Sequence, residues 1–168
     1  TDNSSNSLNG TLANMNDDDW VTSSIPIGDA SISDYDSPSS VNLTSNDGDG
    51  VTVSSISGFP SGVQIYRVDA APNVITPPGN LLTLSPEHYF GVFIIGGASP
   101  TYTLTYNYEG HGGISNESAL DLACRANNAS ESWTEGNATL DANANTLTLT
   151  NQSGTEYILG TESDDNSL

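Results

Sequence analysis

Three features of this sequence predict an all-β fold, a two-sheet antiparallel β-sandwich of Ig-like or jelly-roll-like type. From Trp20 onward, apolar residues recur with a period of two over most segments. Hydrophobic residues make up only 35% of the 168 positions, and Ser, Thr, Asn, Asp and Gly dominate the remainder, a balance that suits short strands joined by polar turns. The one continuous apolar run, Tyr89-Phe90-Gly91-Val92-Phe93-Ile94-Ile95, is too short and too β-branched to favour a helix. A chain of this length is expected to form one core that buries roughly two thirds of its unfolded surface.

The strands follow in order. Val41 with Leu43, Val51 with Val53, and Val63 with Ile65 through Val68 alternate with polar partners. The connections Asn46-Asp47-Gly48-Asp49-Gly50 and Gly58-Phe59-Pro60-Ser61-Gly62 read as Gly-bearing hairpin turns. Pro72, Pro77 and Pro78 mark a loop, because each lacks the amide hydrogen that a central strand uses. Residues 89–95 read as a central strand covered on both faces. Tyr102, Leu104, Tyr106 and Tyr108, and then Leu120, Leu122 and Cys124, read as half-buried strands with one face in water. Leu147 with Leu149 and Tyr157 with Leu159 read as a last hairpin turned at Asn151-Gln152-Ser153-Gly154. The total is about nine to eleven short strands.

Residues 1–19 read differently. Leu8, Leu12 and Met15 stand in a polar, acidic stretch that ends in Asp17-Asp18-Asp19, which predicts a flexible N-terminal arm ahead of a single sandwich domain at 20–168. A tail without structure and a segment that orders by pairing with a neighbouring chain both fit.

Charge restricts the partners. The chain has no lysine, and Arg67 and Arg125 face 21 acidic residues for a formal charge of −19, so nucleic acid and anionic membrane are repelled. No segment approaches the roughly 18 apolar residues of a membrane-spanning helix. Such a surface stays hydrated at high ionic strength, where salt screens its self-repulsion, and a saline habitat is expected. With Cys124 as the single cysteine, an internal disulfide and cysteine-based metal sites are excluded. The chain begins at Thr1 without a basic-then-apolar leader, consistent with a mature secreted form.

The second half carries a series of landmarks: Tyr102-Thr103-Leu104-Thr105-Tyr106-Asn107-Tyr108, Gly113-Ile114, Leu120-Asp121-Leu122 through Arg125, Trp133, Asn145-Thr146-Leu147-Thr148-Leu149 and Glu156-Tyr157-Ile158-Leu159-Gly160. Residues 80–168, approximately, resemble the β-sandwich modules of secreted and surface proteins of Bacteroidota that precede the sorting domain of the type IX secretion pathway. The resemblance implies a structural module and transfers no catalytic residue. It also implies that 164–168 is a linker toward a sorting domain removed after export.

Four constellations bear on chemistry. Asp47 and Asp49 bring two carboxylates onto a flexible Gly-rich loop, which makes them candidate Ca²⁺ ligands; a plain Asx- and Gly-rich hairpin turn is the competing reading. His88 and His111 are the only imidazoles, and Glu109 is close to the second, but no third ligand is nominated, so both are expected on the surface. No Gly-X-Ser-X-Gly elbow occurs to seat a nucleophilic serine. Trp20, Trp133, Tyr66, Tyr89, Tyr106 and Tyr108 would stack on sugar rings if several faced solvent together, and would otherwise pack between the sheets. The sequence thus predicts a non-enzymatic structural subunit of the cell surface or extracellular matrix that self-associates, by strand addition, into a fibre. An extracellular carbohydrate-binding module with a polysaccharide partner is the alternative.

Overall fold

The computed structural model describes residues 28–162; the acidic arm, Trp20 and the last six residues lie outside them. The fold is the two-sheet antiparallel sandwich expected from the period-two pattern. Among the described residues twelve strands run in order: β1 (Ala30–Asp34), β2 (Ser40–Thr44), β3 (Gly50–Ser54), β4 (Gly62–Val68), β5 (Thr83–Leu84), β6 (Tyr89–Ile95), β7 (Tyr102–Asn107), β8 (Leu120–Arg125), β9 (Thr134–Glu135), β10 (Thr139–Asp141), β11 (Thr146–Gln152) and β12 (Glu156–Thr161). One sheet has seven strands in the order β1-β4-β6-β12-β8-β9, with β5 also on β12; the other has five, β10-β11-β7-β3-β2. A 3₁₀ turn at Glu117–Ala119 leads into β8.

Alternation decides which side chains meet between the sheets. Val41 and Leu43 on β2, Val51 and Val53 on β3, Leu104 and Tyr106 on β7, and Leu147 and Leu149 on β11 face Val63, Ile65, Phe90, Val92, Leu122 and Leu159 of the larger sheet in one buried cluster. Cys124 continues the inward face of Leu120 and Leu122 but is half-buried, because it lies near the short edge strand β9, opposite Thr134.

Two of the expected hairpins are instead crossings between sheets. Residues 45–49 do turn a hairpin from β2 into β3, closed by Ser45 N–H to the Asp49 carbonyl at 2.8 Å. The Gly58–Gly62 and Asn151–Gly154 segments, by contrast, carry the chain from the smaller sheet to the larger one, β3 to β4 and β11 to β12. Glycines and polar residues mark a reversal in either case, so local composition does not separate a hairpin from a sandwich corner.

The outer face of the larger sheet is covered over part of its area, which also differs from the sequence expectation. Leu81, Leu84, Ala123, Trp133 and Ile158 form a second, smaller cluster there, with Val74 and Tyr89 against it. Accordingly β8, expected to be wet on one face, buries Asp121, Ala123 and Arg125 as well as its inward leucines. Residues 89–95 are central, between β4 and β12, but the cover ends partway: Phe93 and Ile95 are 41% and 39% exposed. Opposite Gly91, the Tyr66 ring lies flat over the strand, where a Cβ on residue 91 would fall 1.9 Å from the ring's Cζ. Only glycine leaves room for it.

Candidate functional site

At one end of the sandwich the inward face changes from apolar to polar without leaving phase. Asp49 precedes Val51 and Val53, Arg67 follows Val63 and Ile65, His88 precedes Phe90 and Val92, and Tyr106 follows Tyr102 and Leu104. In each case the two-residue period continues past the last core residue and delivers a polar side chain into the gap between the sheets. Asp49, His88, Tyr106 and His111 are all buried, and Arg67 is 8% exposed.

Arg67 organises the cluster. Its Nη1 donates to Asp49 Oδ1 at 2.6 Å, Nη2 to Asp47 Oδ2 at 3.0 Å, and Nε to Asp69 Oδ1 at 2.5 Å. Its guanidinium carbon also lies 5.9 Å from the centroid of the Phe90 ring. One planar cation thus gathers three carboxylates, a task suited to its fork of donors. Asp49 takes a second contact from His88 Nε2 at 2.8 Å, on Oδ2, and a third from the Tyr106 hydroxyl at 3.2 Å. Because the guanidinium can only donate, its 3.4 Å approach to His88 Nδ1 places the histidine proton on Nε2, facing Asp49. Tyr106 Oη also meets His111 Nδ1 at 3.2 Å, and His111 Nε2 meets Ser85 Oγ at 3.2 Å.

The electrostatics follow from burial and pairing. Burial alone would raise the Asp49 carboxyl, but the hydrogen bond from His88 and the charges around it outweigh that and hold it well below its ordinary value. His111 moves the other way for a base: burial, and His88 with ring centroids 4.8 Å apart, push it down to about 4. Tyr106 is raised well above its usual value by burial and by Asp49.

The two histidines are therefore not surface residues. The signal that placed them was present in the sequence as phase for His88, two positions before Phe90 on the inward face. For His111, which lies in the loop after β7, no periodic signal exists. Asp47 and Asp49 do sit together in the hairpin turn, and Glu109 is not part of the cluster. The cation that meets both carboxylates is Arg67.

Asp49, His88 and His111 present one ligand atom each within 4.8 Å of one another. Tyr106 Oη lies 3.2 to 3.3 Å from all three of these residues, and the second nitrogen of His88 faces a guanidinium donor. A metal-bound imidazole instead offers that second nitrogen as an N–H to an acceptor. The donor set is matched to shared protons. Ser85, His111, Tyr106 and Asp49 do form a hydroxyl–imidazole–hydroxyl–carboxylate chain, but Ser85 is fully buried, so no substrate reaches its oxygen. The arrangement bolts the sheets together: Arg67, His88 and Ser85 come from the side of the larger sheet, Asp49, Tyr106 and His111 from that of the smaller.

The second arginine does parallel work on the outer face. Arg125 and Glu156 are directly opposed on β8 and β12 and meet through Nε at 2.6 Å. Tyr66 Oη donates to the other Glu156 oxygen at 3.1 Å. The remaining guanidinium nitrogens reach Asn73 Oδ1 at 2.7 Å and Asn128 Oδ1 at 3.0 Å, and Trp133 stacks 4.4 Å above Arg125. Trp133 Nε1 then donates to the Val74 carbonyl at 2.8 Å, so the proline-bearing loop is tied down on both sides. Asp121, Glu135 and Glu162 also approach one another, but the first accepts amides of Asn137 and Ala138, and Glu135 accepts Asn80 N–H.

Since the chain has two Arg, two His and no Lys, every basic side chain it possesses is buried, and the charged side chains left for its surface are all acidic. No family model, curated protein or solved structure matches this chain.

Proposed function

We propose that this chain is a non-enzymatic structural subunit of the cell surface or extracellular matrix, exported and assembled with further copies of itself. The observation that carries this reading is the use of the basic and nucleophilic side chains. Arg67, Arg125, His88, His111 and Ser85 are all committed to buried networks that clamp sheet to sheet or loop to sheet. A disulfide-free sandwich pinned in this way is rigid, and its acidic exterior keeps it hydrated. The resemblance of residues 80–168 to structural modules of exported Bacteroidota proteins supports the same reading, as does the type IX route it implies.

Self-association would proceed by strand addition. Among the described residues β1 and β2 are the five-residue edge strands on one side of the two sheets, and in sequence residues 1–27 come immediately before them. Edges of this kind accept a further strand through main-chain hydrogen bonds, and head-to-tail repetition gives an open filament. Like-charge repulsion makes the process depend on salt. Electron microscopy and sedimentation of the full chain at high salt test the reading. Ordered polymers that are lost on deleting residues 1–19 are expected. A uniform monomer at high concentration and high salt refutes it.

A further inference from the structure

One surface feature stands apart from the acidic exterior. Phe59, at the β3–β4 corner, is 97% exposed, the most exposed large apolar side chain among the described residues. Its backbone lies in the left-handed region, φ 53°, which a bulky side chain adopts only with strain. The loop around it is nevertheless fixed at several points. Ser57 N–H donates to the Thr101 carbonyl at 2.8 Å, Thr101 N–H to Ser57 Oγ at 3.1 Å, Ala98 N–H to the Gly58 carbonyl at 2.8 Å, and Ser61 N–H to the Ile95 carbonyl at 2.8 Å. Gly58 cannot be replaced without collision, since a Cβ there would fall 2.8 Å from the Ala98 carbonyl oxygen. An aromatic ring is held rigidly in water by a backbone that does not relax to hide it, the arrangement of an anchor residue for a ligand.

Beside the ring runs an open groove of about 460 Å³, within the usual size of ligand sites. Phe59 and Ile56 supply apolar surface above the buried Pro38 and Pro60, and Ser37 and Ser39 supply hydroxyls; no ionisable residue lines it. That chemistry, together with a molecular surface whose charged side chains are all acidic, selects the occupant. A polyanion is repelled by the field. A basic protein is attracted by the field but finds no carboxylate in this lining. A second copy brings the same charge of −19 with no exposed cation to meet it. A neutral saccharide matches on each count: its C–H face lies on an aromatic ring, and its hydroxyls exchange hydrogen bonds with serines.

We infer that the Phe59 groove binds a neutral polysaccharide, with the aromatic ring as stacking platform and Ser37 and Ser39 as its polar rim. This goes beyond the structural role proposed above and stands whether or not the chain polymerises.

The test uses the full chain, labelled for amide NMR and titrated with cellohexaose, laminarihexaose, xylohexaose and mannohexaose, with polygalacturonate as the anionic control. Saturable shifts at Ser37, Ser39 and 56–59 with at least one neutral oligosaccharide are expected, and none with polygalacturonate. Phe59→Ala should weaken that binding about tenfold or more, with the melting temperature within about 2 °C of the parent because the ring packs on nothing. Phe59→Trp should retain it. The inference is overturned by failure of all four oligosaccharides to shift these residues, by unchanged affinity in Phe59→Ala, or by equal binding of polygalacturonate. Shifts of the same residues on dilution without sugar would also overturn it, by making the groove a contact between copies.

Discussion

Acidification from pH 7 to 4 should destabilise this protein progressively through His111. The imidazole titrates near 6.5 in the unfolded chain and near 4 in the folded one. Between those values the unfolded state binds more protons, so stability rises with pH and is lost as pH falls from about 6.5 toward 4. At 1.36 kcal/mol per unit, the loss is on the order of 3 kcal/mol, a large part of the 5–15 kcal/mol typical of a domain. The groups around the imidazole explain why protonation is resisted. Ser85 offers only a hydroxyl on one side and Tyr106 another, while the Arg67 guanidinium adds positive charge that Asp49 and Asp47 offset in part. Urea denaturation followed by circular dichroism at half-unit pH steps and constant high salt measures the slope. His111→Gln, which keeps a donor and an acceptor but does not titrate, should flatten the slope by up to about 1.4 kcal/mol per pH unit. An identical slope in parent and variant, or undiminished parental stability at pH 4.5, would show that His111 is not the neutral, buried bridge described here. Asp49, held low, adds a separate loss below about pH 4.

Arg67→Met removes the guanidinium and leaves Asp49 buried, so a loss of about 3–5 kcal/mol is expected in urea melts; a loss under about 1 kcal/mol would mean that the pair is not a clamp. Gly91→Ala forces the Tyr66 ring off the strand and breaks its bond to Glu156, which should lower stability by about 1–3 kcal/mol, and Tyr66→Ala should remove most of that penalty in a double-mutant cycle. Burial raises the Cys124 thiol above its usual value, so iodoacetamide should label the native protein far more slowly than the urea-unfolded one; equal rates would place the thiol in solvent. Arg67 already meets Asp47 and Asp49, so EDTA should leave the melting temperature unchanged, whereas a drop abolished by Asn at both positions would establish them as Ca²⁺ ligands.

Much of the architecture was determined locally and is legible in the chain. The alternation of Val51 and Val53, of Tyr102, Leu104 and Tyr106, and of Leu147 and Leu149 specifies strands with one face inward, because side chains on a strand point to opposite faces in turn. The Asx–Gly turn at 45–49 likewise carries its own geometry. The same period also indicates, for Asp49, Arg67, His88 and Tyr106, that a polar side chain stands on the inward face, and the strong bias against burying charge argues the opposite. Only the tertiary structure resolves that conflict, since an aspartate becomes tolerable in the interior when an arginine from another sheet arrives at 2.6 Å. The partner lies 18 residues away across a sheet crossing that composition alone cannot tell from a hairpin. For the same reason Arg125 reads as a wet position until the proline-bearing loop and Trp133 fold over it. Sequence period determines which face a residue takes; what covers that face, and with what charge, is decided by contacts between segments far apart in the chain.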